Sequence, residues 1–213
     1  MLPCVSVCLH GPPGTGKTAL ARHLANELER PLFVKRASDL LSMFVGGTEA
    51  NLSEAFSEAS EENGIMLIDE VDTFLLDRSG ASRSWEVTQV NEFLTQLEQF
   101  RGIFFATTNR LESLDEAVLR RFTFKLKFNY LNQEQREMAF HCNFDPLLKL
   151  SGKKQVKREP VLSGLQHLTP GDFEVVRRKI QFQIEAPTQF SLLEELEAEM
   201  RLKPVCKKRK VGF

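Results

Sequence analysis

The stretch HGPPGTGKTAL, residues 10–20, decides the fold of this chain. Its glycines, lysine and threonine fit the pattern G-x-x-x-x-G-K-[ST], in which the backbone N–H groups of a loop surround a phosphate. The apolar run VSVCL precedes this loop, and a helical pattern follows it, with Leu20, Leu24 and Leu28 at spacing four and Ala21 and Ala25 beside them. A strand, a loop and a helix in this order are the context that a phosphate-binding loop requires, because the helix N-terminus also attracts anions.

The side chains of this loop indicate a nucleotide with magnesium. Lys17 supplies a positive charge for the β- and γ-phosphates, and the hydroxyl of Thr18 is a ligand for Mg²⁺. The ligand is therefore predicted to be a nucleotide with β- and γ-phosphates, bound together with Mg²⁺. The predicted nucleotide-binding residues are Gly11, Pro12, Pro13, Gly14, Thr15, Gly16, Lys17, Thr18 and Ala19.

Apolar runs alternate with helical patterns up to about residue 128. Such alternation indicates an α/β fold, in which a parallel sheet carries helices on both faces. The predicted strands are continuous apolar runs, as expected of parallel strands that are buried on both sides. Strands are predicted at 4–9, 32–35, 64–69, 102–108 and 124–128, and helices at 17–29, 49–62 and 85–100.

The strand patterns end after residue 128, and helical patterns follow at 132–150, 170–182 and 188–203, with a polar loop at 151–160. The chain is therefore predicted to have three parts. They are a phosphate-loop domain over residues 1–128, a small all-helical domain over 129–203 and a basic tail over 204–213. The tail sequence PVCKKRKV resembles a nuclear-import signal, but a solvated basic terminus is the interpretation we favour.

Two carboxylates end the apolar strand IMLIDE, residues 65–70. Asp69 is placed to hold Mg²⁺ through water, and Glu70 is placed to polarise the attacking water as a general base. An acidic strand end at the surface is the alternative, and the phosphate loop argues against it. Asn109 follows the strand FFATT and is placed to position the same water, although an asparagine that forms a turn would give the same pattern.

The composition excludes several classes of protein. The chain has 28 basic and 29 acidic residues and a net charge of −1, so nothing in the charge favours nucleic acid or a membrane surface as a partner. No stretch approaches the roughly 20 apolar residues of a transmembrane helix, and the N-terminus does not resemble a signal peptide. The four cysteines form no C-x-x-C pair. We therefore expect reduced thiols and a cytoplasmic location.

The segments GPPGTGKTALARHLA, MFVGGTEANLSEAF, LIDEVD, ATTN and LDEAVLRRF make the chain similar to the AAA+ ATPase family, from about residue 5 to residue 180. The resemblance is to the group of spastin, katanin and related unfoldases. It implies Walker A and Walker B motifs, ATP hydrolysis, a helical lid, and action as a homo-oligomer, a hexameric ring or spiral, on a protein substrate. It also implies that Asn109 is the sensor-1 residue. Gly171 lies where many family lids carry a sensor-2 arginine, a departure that weighs against DNA-remodelling ATPases.

The resemblance gives a role to two further sets of residues. Arg120 and Arg121 match the arginine-finger position, from which one subunit contacts the γ-phosphate bound to its neighbour. A solvated or salt-bridged arginine pair is the alternative. The segment Phe44, Val45 and Gly46 matches the pore loop that grips an extended polypeptide. Burial of Phe44 in the core is the alternative.

The family carries a segment before the phosphate-loop strand that contacts adenine, whereas this sequence begins at that strand. We therefore expect the chain to be the ATPase module of a longer protein, truncated at its N-terminal side. A second function remains open, that of an ATP-dependent scaffold or adaptor which assembles on nucleotide with little turnover. The pair Asp69 and Glu70 argues against it, because a scaffold needs no general base.

Overall fold

The computed structural model describes residues 4–44, 46–73, 75, 84–150, 159–183 and 185–207. The chain forms two compact units. The first runs up to Pro12 and from Gly16 to Phe128, and the second takes in Pro13–Thr15 and the chain from Asn129 onward. Of the predicted segments, most of the polar loop (151–158) and the end of the basic tail (208–213) lie outside the described residues.

The first unit is built on a sheet of five parallel strands in the order β2-β3-β4-β1-β5. The predicted α/β fold with a parallel sheet is confirmed. Because the strands are parallel and β4 lies between β1 and β3, the carboxyl ends of these three strands meet at one edge. The strands are β1 (Val5–His10), β2 (Leu32–Arg36), β3 (Ile65–Asp69), β4 (Ile103–Thr108) and β5 (Phe124–Lys127).

The described residues of this unit include five helices, which cover both faces of the sheet. Successive side chains of a strand point to opposite faces. On one face Ile65 and Leu67 share a buried cluster with Ala21 and Ala25 of the first helix. On the other face the strands pack against the third, fourth and fifth helices. The helices are α1 (Lys17–Glu27), α2 (Ala37–Leu40), α3 (Gly47–Glu61), α4 (Ser84–Gln99) and α5 (Glu116–Arg121).

The buried stripe of the first helix lies within the predicted apolar face. The sequence predicted Leu20, Leu24 and Leu28 with Ala21 and Ala25 beside them, and the two alanines are fully buried, whereas Leu28 is 49% exposed. The short alanine side chains let α1 lie close to the sheet directly behind the phosphate loop. The leucine side chains therefore lie at the edge of the contact between α1 and the sheet, and the alanines lie at its centre.

Phenylalanine rings form the core between the sheet and α3 to α5. The ring of Phe104 lies at the centre, stacked on Phe56 at 5.6 Å and on Phe122 at 6.2 Å between ring centroids. Phe93 meets the same ring edge-on at 5.7 Å. Aromatic contacts of this kind add to the gain from burying apolar area. They hold α3, α4 and the end of α5 to one strand.

In the part of the second unit that the structure describes, the regular elements are helices, and they have a core of their own. Two of its helices, α7 and α10, were not predicted, since the sequence around them is polar and basic. The helices are α6 (Gln133–Leu150), α7 (Glu159–Gly164), α8 (Pro170–Ile180), α9 (Gln189–Leu202) and α10 (Pro204–Lys207). The core residues are Phe140, Phe144, Leu148, Leu162, Leu165, Leu168, Phe173, Val176, Leu192, Leu193 and Leu196.

Side chains cap the helices α8 and α9. The predicted start of α9 is confirmed, because Thr188 is its N-cap and accepts a hydrogen bond from the Ser191 amide at 3.0 Å. In α8 the amide of Thr169 donates to the carboxylate of Asp172 at 2.6 Å. Such caps satisfy N–H groups that the helix leaves unpaired. Among the described residues, no helix is long and apolar enough to cross a bilayer.

Candidate nucleotide-binding site

The phosphate loop owes its shape to glycines with positive φ angles. Gly11 has φ 139°, and a Cβ at this position would overlap the carbonyl oxygen of Phe128. Gly16 is the N-cap of α1 with φ 95°, in the left-handed region that favours glycine. The chain therefore leaves β1, turns without a side chain in the way, and starts α1 at Lys17 with its N-terminus toward the loop.

The ammonium of Lys17 is buried and is held by neutral oxygen atoms. Lys17 is 8% exposed, and its Nζ donates to the carbonyls of Gly11 at 2.7 Å and Pro12 at 2.9 Å. It also donates to Oδ1 of Asn109 at 2.9 Å. Burial lowers the pKa of Lys17 from its usual value, and the negative charge of Asp69 opposes this shift. A cation in this setting favours the arrival of an anionic phosphate.

The carboxylate of Asp69 lies between two hydroxyl groups. The Thr18 hydroxyl approaches Oδ2 at 3.4 Å, and the Thr107 hydroxyl donates to Oδ1. Oxygen atoms of this kind are the ligands that Mg²⁺ prefers, usually with phosphate oxygens and waters completing the shell. The donor set therefore fits the metal predicted from the sequence. In the described part of the chain, no group of three or more His, Cys, Asp or Glu side chains is arranged to hold a metal by itself.

Glu70 adopts a backbone conformation that is rare for its residue type. Its φ is 59°, in the left-handed region, which costs about 1–3 kcal/mol for a residue other than glycine. The Glu70 amide donates to the Thr107 hydroxyl at 3.1 Å, and this bond holds the turn. The side chain of Glu70 is exposed, beside the strand end that carries Asp69. Strain of this kind is often found at functional sites.

Asn109 reaches the phosphate loop through its hydrogen bond to Lys17. The chain on either side of it is fixed by Thr108, whose hydroxyl donates to Asp72 at 2.8 Å and accepts from the Arg110 amide at 2.9 Å. The structure therefore brings Lys17, Asp69 and Asn109 to one edge of the sheet. The role of Asn109 in positioning water stays a prediction.

Three residues of this edge were not assigned a role from the sequence. They are Asp72, Thr107 and Thr108, which hold the loops that follow β3 and β4. The sequence carried a signal for the two threonines, because they end an apolar strand. In the structure each of them is only 1% exposed. Buried hydroxyls need hydrogen-bond partners, and the acidic end of the neighbouring strand supplies them.

The remaining predicted site residues lie on other elements. Arg120 pairs with Glu116 at 2.5 Å, and Arg121 pairs with Glu98 at 2.9 Å. Phe44 is 79% exposed, which rules out its burial in the core. Gly46 is left-handed at the start of α3, and Val45 lies outside the described residues.

A glycine loop with a buried lysine, next to a strand end with two carboxylates on a parallel sheet, defines a P-loop nucleotide-binding domain. The chain belongs to the AAA ATPase family, since the model of the "ATPase family associated with various cellular activities (AAA)" matches residues 7–130. By family it is therefore an ATPase.

Several known proteins are similar to the chain. A putative 26S proteasome regulatory subunit homolog from Methanothermobacter thermautotrophicus is 35% identical over 192 residues, which are 81% of this chain and 52% of that protein. Spastin of Drosophila persimilis is 28% identical over 92% of this chain and 30% of its own length. The chain thus spans about half, or less, of these relatives. A chain of the E. coli MS115-1 HORMA:CdnC:Trip13 complex shares the fold, with a TM-score of 0.71 and 23% identity over 92% of this chain and 74% of that one.

We predict that Lys17→Ala weakens nucleotide binding itself. The substitution removes the charge that faces the phosphates and leaves the backbone loop in place. Loss of a charged hydrogen bond costs about 1.5–3 kcal/mol, or roughly 10- to 150-fold in Kd. Calorimetry with a non-hydrolysable ATP analogue measures the effect. Lys35→Ala is the control, because Lys35 is partly exposed on the last part of β2 and pairs with Glu58 at 2.7 Å. An unchanged Kd for Lys17→Ala would contradict the assignment of the loop.

Proposed function

We propose that this chain is the ATPase module of an oligomeric AAA+ protein that remodels or unfolds a protein substrate. It binds Mg-ATP, hydrolyses it, and uses the energy to pull on a polypeptide. The observation that supports the proposal best is the meeting of Lys17, Asp69 and Asn109 at the carboxyl ends of β1, β3 and β4. These are the groups that phosphate binding, metal binding and water positioning require.

In the proposed chemistry, a few side chains bind the nucleotide and the metal and activate the attacking water. The loop N–H groups and Lys17 bind the phosphates, while Thr18 and Asp69 would hold Mg²⁺. The metal, when bound, neutralises charge that develops on the phosphate oxygens. Glu70 accepts the proton of the attacking water, and the Asn109 amide orients that water. The exposed position of Glu70 leaves its carboxylate accessible to a water molecule.

Arg120 and Arg121 are proposed to act on the nucleotide of a neighbouring subunit. Their side chains are 74% and 55% exposed at the end of α5, paired with carboxylates of their own chain. A guanidinium supplied in this way to a γ-phosphate is worth about 10³–10⁵ in rate. The active form is therefore proposed to be a homo-oligomer, a hexameric ring or spiral.

The segment Met43–Gly46 is proposed as the part that touches the polypeptide. Met43 is 98% exposed and Phe44 is 79% exposed, next to a left-handed Gly46. Exposed large apolar side chains side by side are costly unless they bind something. Such side chains grip a chain without reading its sequence.

The helical unit from Asn129 is proposed as the lid, over residues 129–203, with the basic tail from 204 onward. The location is proposed to be the cytoplasm. An ATP-dependent scaffold with little turnover is the rival function. The exposed carboxylate of Glu70 beside Asp69 favours the hydrolase, because a scaffold needs no general base.

We predict that Glu70→Gln keeps ATP binding but nearly abolishes turnover. The amide keeps the size of the side chain and cannot accept the proton, and general-base catalysis is worth about 10²–10⁴ in rate. Steady-state phosphate release and calorimetry with ATP measure the two effects. Glu62→Gln, an exposed glutamate just before β3, is the matched control. Turnover at the wild-type rate in Glu70→Gln would favour a different base. A wild-type chain without turnover at any concentration would favour the scaffold.

We also predict that the arginine pair works between subunits. The double variant Arg120→Ala/Arg121→Ala should bind ATP, because its own phosphate loop is unchanged, and should lose turnover by about 10³-fold or more. Mixing it with Glu70→Gln subunits should restore part of the activity, since an intact base then faces intact arginines. Full activity of the double variant in dilute solution would refute both the trans role and the oligomer.

Phe44→Ala is predicted to leave folding and basal ATP hydrolysis nearly unchanged while polypeptide binding is lost. Fluorescence anisotropy with labelled casein, an unstructured probe, tests binding in the ATP-bound Glu70→Gln background. Phe104→Ala is the matched buried control, expected to lower the free energy of unfolding by about 3–5 kcal/mol. Casein binding by Phe44→Ala at the wild-type level would remove this segment from the proposed substrate path.

A further inference from the structure

Ser6 is a buried polar residue near the start of β1, the strand that leads into the phosphate loop. It is 3% exposed, and its neighbours Val7, Cys8 and Leu9 are apolar and buried. A hydroxyl in such a place is costly unless it is hydrogen-bonded. The phosphate chemistry makes no use of it, so its partners show what it does.

The hydroxyl of Ser6 joins β1 to the end of α5. It donates to the carbonyl of Arg121 at 2.8 Å and accepts from the amide of Thr123 at 3.1 Å. The Thr123 hydroxyl lies at 3.3 Å from it. The last carbonyls of a helix have no partner within the helix, and Ser6 satisfies the one that belongs to Arg121. One side chain therefore fixes the backbone at the point where the arginines leave the helix.

A capping side chain and two buried side chains fix the rest of α5 in place. Asp115 caps its first turn by accepting from the Ala117 amide at 2.9 Å. Val118 is fully buried and Phe122 is 3% exposed, so one side of this short helix belongs to the core. A helix of six residues has too few internal hydrogen bonds to be stable alone. Its orientation therefore depends on these side chains from outside it.

The two arginine side chains are held differently. Arg120 pairs with Glu116 on its own helix, one turn away. Arg121 pairs with Glu98 of α4, at 2.9 Å between Nη2 and Oε1. Glu98 therefore fixes the direction of the Arg121 guanidinium relative to α4. Ser6 fixes the backbone that carries both arginine side chains.

We infer that Ser6, assisted by Glu98, is a positioning residue for the arginine pair. It acts on catalysis in the neighbouring subunit and not in its own. The inference rests on the proposed trans role of Arg120 and Arg121. The inference adds that β1, the strand that leads into a subunit's phosphate loop, also determines the position of the arginine pair in that subunit. A displacement of about 1 Å from productive geometry costs on the order of 100-fold in rate.

The test is Ser6→Ala in the full chain, assayed beside Arg120→Ala/Arg121→Ala. We expect kcat to fall about 10- to 100-fold, with KM for ATP and the Kd of a non-hydrolysable analogue unchanged. Mixing Ser6→Ala with Glu70→Gln subunits should restore activity, because the Ser6→Ala site is intact and faces correctly held arginines. A site that is merely destabilised would not be rescued in this way. Thr123→Ala is the control, since it removes only the 3.3 Å contact.

A second variant guards against loss of folding in Ser6→Ala. Glu98→Gln changes an exposed side chain and should lower kcat about two- to fivefold. Glu92→Gln on the same helix, whose carboxylate accepts from Gln96, should have no effect. If Ser6→Ala does not fold, Glu98→Gln decides, and an unchanged kcat overturns the inference.

The outcomes separate this inference from the proposed function. Wild-type kcat in Ser6→Ala, with turnover lost in the arginine double variant, overturns the inference and leaves the trans role standing. Weakened nucleotide binding in Ser6→Ala without rescue by Glu70→Gln also overturns it, since Ser6 then serves its own site. Wild-type turnover in the arginine double variant overturns both.

Discussion

Parallel pairing of β1, β4 and β3 is the constraint on which the site depends. It brings the ends of three separate segments to one edge, so that the register His10 beside Thr108 places the phosphate loop next to Asn109. Pairing of β3 with β4 then sets Asp69 beside Thr107. Any slip of one residue along a strand would turn its polar end toward the other face. The apolar runs on both sides of the sheet are therefore what keeps the polar groups together.

Hydrogen bonds from short, polar side chains fix the backbone at this edge of the sheet. Thr107 bonds the carboxylate of Asp69 and the amide of Glu70, while Thr108 bonds Asp72. These hydrogen bonds give residues 70–73 after β3 and residues 109–110 after β4 a defined shape before any ligand binds. Preorganised groups lose less free energy when they stabilise charge. The strained backbone of Glu70 belongs to the same arrangement.

Much of this unit could be predicted from the sequence. The runs around residues 4–9, 64–69 and 102–108 predicted buried strands because parallel strands are apolar along their whole length. The motif residues Lys17, Asp69 and Asn109 were predicted for the site, and in the structure they lie at the same edge of the sheet. For α1 the sequence predicted the apolar face but not that its alanines form the centre of the contact, because the spacing of side chains does not show how closely a helix approaches a sheet. The helices α7 and α10 were missed because their composition is typical of loops. The role of Ser6 could not be predicted, since its partners lie more than a hundred residues away.

The neutral acceptors around Lys17 have a consequence for proton balance. Without nucleotide, burial lowers the pKa of this ammonium, and carbonyl oxygens compensate its charge only in part. Phosphate oxygens carry full negative charge, so a bound nucleotide raises that pKa again. Between these two pKa values the free chain has lost the proton that the complex retains, and binding takes a proton from the solution. Nucleotide binding at this loop is therefore coupled to the protonation of Lys17, and a lower pH within that interval favours the complex.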